Sequence, residues 1–501
     1  MRLDPLNNRP LFIVGIVIAV LAFLSIFKIG GSVGPVQIKR IDLFSDVLPN
    51  KKDCKRSINN DLAAKNGTSP AGVHEVRETG QNERAAASNT LIISFAGGQS
   101  GSLDSFFEEL RRTEKDGGKV RIAYFGDSII EGDLITHDLR KNLQKSFGGS
   151  GVGFVPVTSA TAVARGTIHH RFSDNWQVLA LHPRPKNEAK LGISGFTFLP
   201  RSDQAVTGSF GGLKTERFKH SWTEYTASAL SENTHPFRVV KLYYGPSNEP
   251  AFAKYTLDGE VEHTIDLCGD DVVQEAVISN NGPVNKVRID FFARGQAPVY
   301  GLSFEDTRGV YVDNFAIRGY SGLTLDRIPG QIYSGFDRFL RYRLIIVHYG
   351  INVAGFTTKQ EFNWYRKQMA AVLGHLKNAF PGASFLVISV NDIGHRDNME
   401  TVTKPSIPLL VEAQYNIARE TGAGFWNLFN AMGGENSMAD WAAGQRPLAS
   451  KDLTHFNPRG AKKIADLLTK ALLEEYEAFK ARREHSGSSK TSPAKNIRAA
   501  R

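Results

Sequence analysis

The sequence predicts an α/β fold: a doubly wound parallel sheet, interrupted by an inserted antiparallel β-sandwich and preceded by a membrane helix. Three observations carry this expectation. Short apolar strands alternate with helical periods on both sides of the chain's middle. The middle itself, 156–304, has short β-branched and aromatic runs with no helical period between them. One uncharged apolar run stands near the start.

That run comprises residues 11–27 (LFIVGIVIAVLAFLSIF), which follow Arg2 and Arg9. Its length just reaches the lower limit for a membrane span. A secretory signal has a shorter apolar core and a small-x-small cleavage site, whereas this run ends in Lys28-Ile29-Gly30-Gly31. A retained signal anchor at 11–28 is therefore expected. Residues 1–10 would be cytoplasmic and the body would face the periplasm or cell exterior. Residues 29–89 read as a flexible tether, since 49–89 are polar without an apolar period.

The folded body is expected over 90–480. Residues 120–125 (VRIAYF) form a strand that ends at Gly126-Asp127-Ser128, and Leu134, Leu139, Leu143 and Phe147 set a helical period over 134–147. Further strands are expected at 344–348 and 384–390 and a short one at 424–428, with helices at 364–380, 411–421 and 458–479. This divides the body into a first part (90–155), the sandwich (156–304) and a second part (305–480), followed by a basic disordered tail at 481–501.

Sixty-one Lys and Arg against 51 Asp and Glu give a net charge of +10. Residues 480–501 alone supply +6 of this, so the nearly neutral remainder argues against a nucleic-acid groove. Cys54 and Cys268 make neither a disulfide framework nor a metal site, and their pairing stays open. There is no HExxH, CxxC or EF-hand spacing, so no metal or cofactor is expected. His169 and His170 are adjacent and would point to opposite faces of a strand, which makes them poor co-ligands. Trp176, Trp222, Tyr243 and Tyr244 read as core of the insertion, with stacking on sugar rings as the alternative.

Four short blocks carry the chemistry. Ser128 lies just past the carboxyl end of a parallel strand, where such sheets open their ligand crevice, and the N-terminus of the helix that follows offers unpaired N–H groups. Gly319, in Arg318-Gly319-Tyr320-Ser321-Gly322, can present an N–H to an oxyanion or simply make a turn; Gly322 competes for the role. Asn352 in Gly350-Ile351-Asn352 can donate its amide to the same charge. Asp452 precedes His455 by three residues and can curl back to one imidazole nitrogen, leaving the other to take a hydroxyl proton. Asn457-Pro458 then caps and starts the closing helix. Taken alone, each block also reads as a turn or a cap.

In this order, the four blocks resemble those of the SGNH/GDSL hydrolases: Gly126-Asp127-Ser128, Gly319, Gly350-x-Asn352 and Asp452-x-x-His455. Ile129 stands where the motif's Leu is usual, and Val353 where Asp is common. The resemblance covers 120–154 and 310–477 and implies a flavodoxin-like three-layer hydrolase domain. It also implies Ser128 as nucleophile, His455 as general base and Asp452 as its orienting partner. The Ser128 N–H, the Gly319 N–H and the Asn352 side chain would form the oxyanion hole. The arrangement is similar to bacterial peptidoglycan O-acetylesterases, which carry a carbohydrate-binding-like sandwich between their first two blocks. It implies an exported esterase acting on an acylated polysaccharide. An O-acetyltransferase with the same triad and a non-catalytic glycan-binding protein remain as alternatives.

Overall fold

A computed structural model of the chain describes residues 31–33, 36–38, 91–96, 100–182, 191–201, 206–210, 213–230, 237–279, 282–397 and 400–488. By its internal contacts the chain divides into two units, Met1–Val76 and Arg77–Arg501. The expected anchor at 11–28 lies outside the described residues, as does Cys54. Among the described residues no helix is long and apolar enough to cross a membrane. In the first unit, within the stretch expected to be a tether, Gly31–Val33 and Val36–Ile38 pair as antiparallel strands. Their β-branched Val33, Val36 and Ile38 stand on either side of Gly34-Pro35, a sequence that favours a turn between strands.

The second unit is built on a five-stranded parallel sheet. In spatial order its strands are Gly309–Ala316, Lys119–Gly126, Tyr342–His348, Ser384–Ile388 and Gly424–Trp426. In order along the chain this is 2-1-3-4-5, a doubly wound arrangement. The strands are near-continuous apolar runs because helices cover both faces. On one face, Ile122, Tyr124, Leu344 and Ile346 pack with Phe106 and Leu110 of helix Asp104–Asp116, Leu139 and Leu143 of helix Thr136–Phe147, and Ile464 and Leu468 of the closing helix. The opposite face carries helices Gly330–Leu340, Lys359–Ala379 and Ser406–Thr421. There Phe125 meets Tyr333 edge-on at 6.2 Å and Gln414 Oε1 accepts from the Val390 N–H at 2.7 Å.

Between the first and second strands of this sheet the chain makes two antiparallel sheets. One contains Gly153–Pro156, Gln177–Ala180, Phe196–Leu199, Val239–Tyr244, Gln274–Ser279 and Val299–Glu305; the other is built on Leu213–Ala227, Ala251–Leu257 and Lys286–Ala293. Lys286–Ala293 alternates between buried and half-buried residues, the period-two signature of a strand with one face inward. Val240, Leu242 and Phe304 of one sheet share a single buried cluster with Tyr225, Ile289 and Phe291 of the other. Trp176, Tyr243 and Tyr244 are buried, and Trp176 packs on Phe198 and Phe291. The Trp222 ring is covered by the Arg288 guanidinium at 3.9 Å. These aromatic residues are packing groups, and sugar stacking on them is set aside. His170 is buried while its neighbour His169 is exposed, on opposite sides of their strand.

At the other end of the chain, the closing helix runs Pro458–Ser488, beyond the expected start of a disordered tail at 481. The reason is ionic: Arg482 hydrogen-bonds Asp104 and Glu475, and Arg483 pairs with Glu108 at 3.2 Å. Basic residues that read as solvated therefore fasten the helix to Asp104–Asp116.

A buried charged cluster joins the parallel sheet to the end of the insertion. Arg121 contacts Glu305 at 2.5 Å and Asp313 at 2.8 Å, and Lys119 reaches Glu305 at 2.6 Å. Tyr342 donates to Asp313, while Asp313 also accepts from the Phe154 N–H at 2.9 Å. Burial alone would raise the Glu305 carboxyl, yet Arg121 and Lys119 reverse this and hold it at about 2. Removing one partner from such a cluster leaves an uncompensated buried charge. Arg121→Met should therefore cost about 3–5 kcal/mol in urea unfolding. A loss well below 1 kcal/mol would show that the cluster does not tie these elements together.

Candidate active site

The strand order reverses between Lys119–Gly126 and Tyr342–His348, so their carboxyl ends flank a crevice. Gly126 lies opposite His348 in the ladder, and a Cβ on it would come within 3.0 Å of the His348 carbonyl. A side chain at 126 would crowd that carbonyl. Ser128 follows in a tight turn: the Ile129 N–H donates to Asp127 Oδ1 at 3.0 Å, and the Glu131 N–H to the Ser128 carbonyl at 3.3 Å. The helix begins close to where its sequence period starts, at 134, and several residues after Ser128. Gly132, Asp133 and Ile135 all have positive φ, which interrupts a right-handed helix, and the helix starts only at Thr136.

The loop before the closing helix brings His455 to Ser128. Ser128 Oγ lies 2.9 Å from His455 Nε2, and His455 Nδ1 lies 2.7 Å from Asp452 Oδ2. A carboxylate facing Nδ1 requires that nitrogen to carry the proton, so Nε2 accepts from the serine hydroxyl. Asp452 Oδ1 also accepts from the Thr454 and His455 N–H groups, each at 3.0 Å. Partial burial raises its carboxyl, but the hydrogen bonds from the His455 N–H and ring outweigh this and hold it below the ordinary range. Both side chains are well exposed, so the pair orients the ring more than it stabilises the fold. The loop is pinned at both ends. Ser450 N–H donates to the His455 carbonyl at 2.8 Å, and Asn457 Oδ1 caps the helix from the Arg459 and Gly460 N–H groups.

Asn352 closes the other side of the crevice. Its amide donates to Asp127 Oδ2 at 3.1 Å and to the Tyr320 carbonyl at 3.0 Å. This places Gly319-Tyr320 beside Asn352 and both beside the turn that carries Ser128. Gly319 has φ of 71°. A Cβ there would meet nothing closer than His182 Nε2, at 3.8 Å. Gly322 is also left-handed, but a Cβ on it would run 2.5 Å from the Tyr349 ring, so its role is packing. Ser128, Asn352, Asp452 and His455 are thus brought together with the Gly319 segment. Another histidine near the crevice, His348, is buried and hydrogen-bonded to the Tyr124 hydroxyl at 3.0 Å; burial pushes its imidazole down to about 3. Among the described residues no three acidic, His or Cys side chains are grouped to hold a metal ion.

Sequence reading passed over two features of the site. The first is Asp127, which cross-links the Ser128 turn to Asn352. The second is an ionic clamp on the segment after Ser128: Asp133 pairs with Arg140 at 2.5 Å and with Arg165 of the insertion at 3.4 Å, and accepts from Thr136 and Thr167. Only the Asp127-Ser128 adjacency signalled the first. The second joins residues that no spacing rule connects.

Burial pushes Asp127 up to about 7, against hydrogen bonds from Ile129, Asn352 and Gly350. An unfolded Asp loses its proton near about pH 4, so the folded state binds more protons between about pH 4 and 7. Stability should therefore fall as pH rises through that window, by up to about 1.4 kcal/mol per unit. Asp127→Asn should remove this slope. Urea midpoints across the same pH window measure it; an unchanged slope would exclude Asp127 as its source.

No family model and no curated protein matches the chain. Among solved structures, a peptidoglycan O-acetylesterase is similar at 20% identity and a TM-score of 0.58, over 77% of this chain and 99% of that one. A family two carbohydrate esterase from Cellvibrio japonicus aligns at 9% identity and a TM-score of 0.23, over 62% of this chain and 98% of that one. The first of these likenesses is one of fold. In fold, then, about three quarters of the chain is similar to almost the whole of that O-acetylesterase, as the resemblance to SGNH/GDSL hydrolases implies.

Proposed function

We propose that the chain is an exported serine esterase that removes O-acetyl groups from a cell-envelope or extracellular polysaccharide such as peptidoglycan. The observation that carries this reading is the unbroken hydrogen-bond chain Ser128–His455–Asp452 at the mouth of a topological crevice. His455 Nε2 takes the Ser128 proton as Oγ attacks the ester carbonyl, and Asp452 stabilises the imidazolium that forms. The developing oxyanion is received by the Ser128 and Gly319 N–H groups and the Asn352 amide, which gives up a present partner to do so. As the C–O bond breaks, His455 gives its proton to the departing sugar oxygen, which leaves as a hydroxyl, and the same base then activates water to release acetate from Ser128. Export is inferred from the apolar run at 11–27, which would hold the body at the outer face of the membrane.

Ser128→Ala should lower acetate release from O-acetylated peptidoglycan and from a small aryl acetate by about 10⁴-fold or more, and Asp452→Asn by about 10³–10⁴-fold. Acetate appearing on an added glycan acceptor rather than free in solution would assign transfer instead of hydrolysis. Full activity in Ser128→Ala would overturn the serine mechanism.

A further inference from the structure

Strand Ser384–Ile388 ends on the same side of the parallel sheet as the strand that leads to Ser128, and the segment after it runs to the loop that carries Asp452 and His455. Two consecutive carbonyls of that loop are held from this segment. The Gly394 N–H donates to the Leu453 carbonyl at 2.9 Å, and the Asn391 side-chain amide donates to the Thr454 carbonyl at 3.1 Å. The same amide reaches the Asp392 carbonyl at 2.7 Å. Both neighbours are carbonyl oxygens, which only accept, so the group that faces them is the NH2. Asn391 is fully buried, and its segment is fixed in turn. The buried Asp392 accepts from the Met438 N–H at 2.8 Å, and Gly394 opens a hairpin in which Gly394–Asp397 pairs with Glu400–Thr403.

The loop held by these bonds is strained. Leu453 has φ of 58°, a left-handed backbone that a branched non-glycine residue rarely adopts. This turn folds Asp452 back, so that Oδ1 accepts from the Thr454 and His455 N–H groups while Oδ2 meets the His455 ring. Asp452 and His455 are both well exposed, and an exposed pair supplies little to keep such a turn in place. A Cβ on Gly394 would stand 3.2 Å from Leu453 Cβ, which shows how closely the two segments approach.

We propose that Asn391 is a positioning residue for the triad, acting with the Gly394 N–H as a clasp on the Leu453 and Thr454 carbonyls. The clasp keeps Leu453 left-handed, and thereby keeps Asp452 on His455 Nδ1 and His455 Nε2 on Ser128. Asn391 itself touches none of these three side chains. The proposal rests on the esterase reading for its effect on rate, but not for its effect on the imidazole.

The test uses the full chain with two substitutions. Asn391→Leu keeps the approximate shape and removes the amide. Gly394→Ala presses a methyl on Leu453 from a half-buried position, and so tests the same contact if Asn391→Leu does not fold. Asn391→Leu should lower kcat for an aryl acetate about 10–100-fold with KM within about twofold, and Gly394→Ala should lower it about fivefold. In a His455→Ala background either substitution should change the residual rate by less than about twofold, because both act through the ring. A group that merely supports the fold would lower the residual rate as well. A second readout needs no turnover: the far-downfield proton resonance of an imidazole N–H bound to a carboxylate, assigned to His455 by its loss in His455→Ala. It should be present in the unsubstituted chain and broadened or lost in both variants. Unchanged kcat in both variants, equal losses with and without His455, or a resonance that neither substitution alters would overturn the proposal. Absence of hydrolysis by the unsubstituted chain would instead count against the esterase reading, leaving the resonance to judge the clasp.

Discussion

The candidate site is built on one constraint: Lys119–Gly126 and Tyr342–His348 run side by side and parallel, with Gly126 facing His348. The ladder fixes where both strands end, and the chain leaves them on either side of one crevice. Ser128 and Asn352 are thus neighbours although 224 residues apart, as 352 − 128 from the numbering requires. The hydrogen bond from Asn352 to Asp127 closes this juxtaposition, and the Tyr320 carbonyl draws in the segment that follows the adjacent strand. Asp452 and His455 arrive from elsewhere, together on a loop held by its own backbone bonds and by the cap at Asn457.

The insertion is bound into this frame by charge as well as by packing. Glu305 at its exit joins Arg121 and Asp313 in the sheet, while Arg165 near its entry joins Asp133 and Arg140 just past Ser128. Buried ion pairs of this sort contribute little net stability over apolar side chains, but they admit few alternative geometries. Their consequence here is positional. The segment from Ser128 to Thr136, with two non-glycine residues at positive φ, is held by Arg165, from a turn between the first strands of the insertion.

The alternation of apolar runs and helical periods made the parallel sheet legible, because fully buried stretches such as 344–347 have no polar residue to blur them. The four blocks were legible for a related reason: each directly follows a strand end or precedes a cap, and Asn457-Pro458 marks the latter without ambiguity. What could not be read depended on contacts between distant segments. Nothing in the sequence near Ser128 shows that Asp133 would meet Arg165, nor that Ile135 would adopt a left-handed backbone and delay the helix to Thr136. The basic residues Arg482 and Arg483 looked like a solvated tail for the same reason, since their partners lie on a helix near the start of the body.

The central claim is that Ser128 carries the acyl group during turnover. The most direct measurement is to mix the protein with an aryl acetate, quench in acid within the first turnover, and map the acetylated peptide by mass spectrometry. The account predicts one acetyl group, on the peptide that contains Ser128, vanishing in Ser128→Ala and accumulating less in Asp452→Asn. Acetyl on a different residue, or product formed with no covalent species at any quench time while Ser128→Ala remains active, would contradict it.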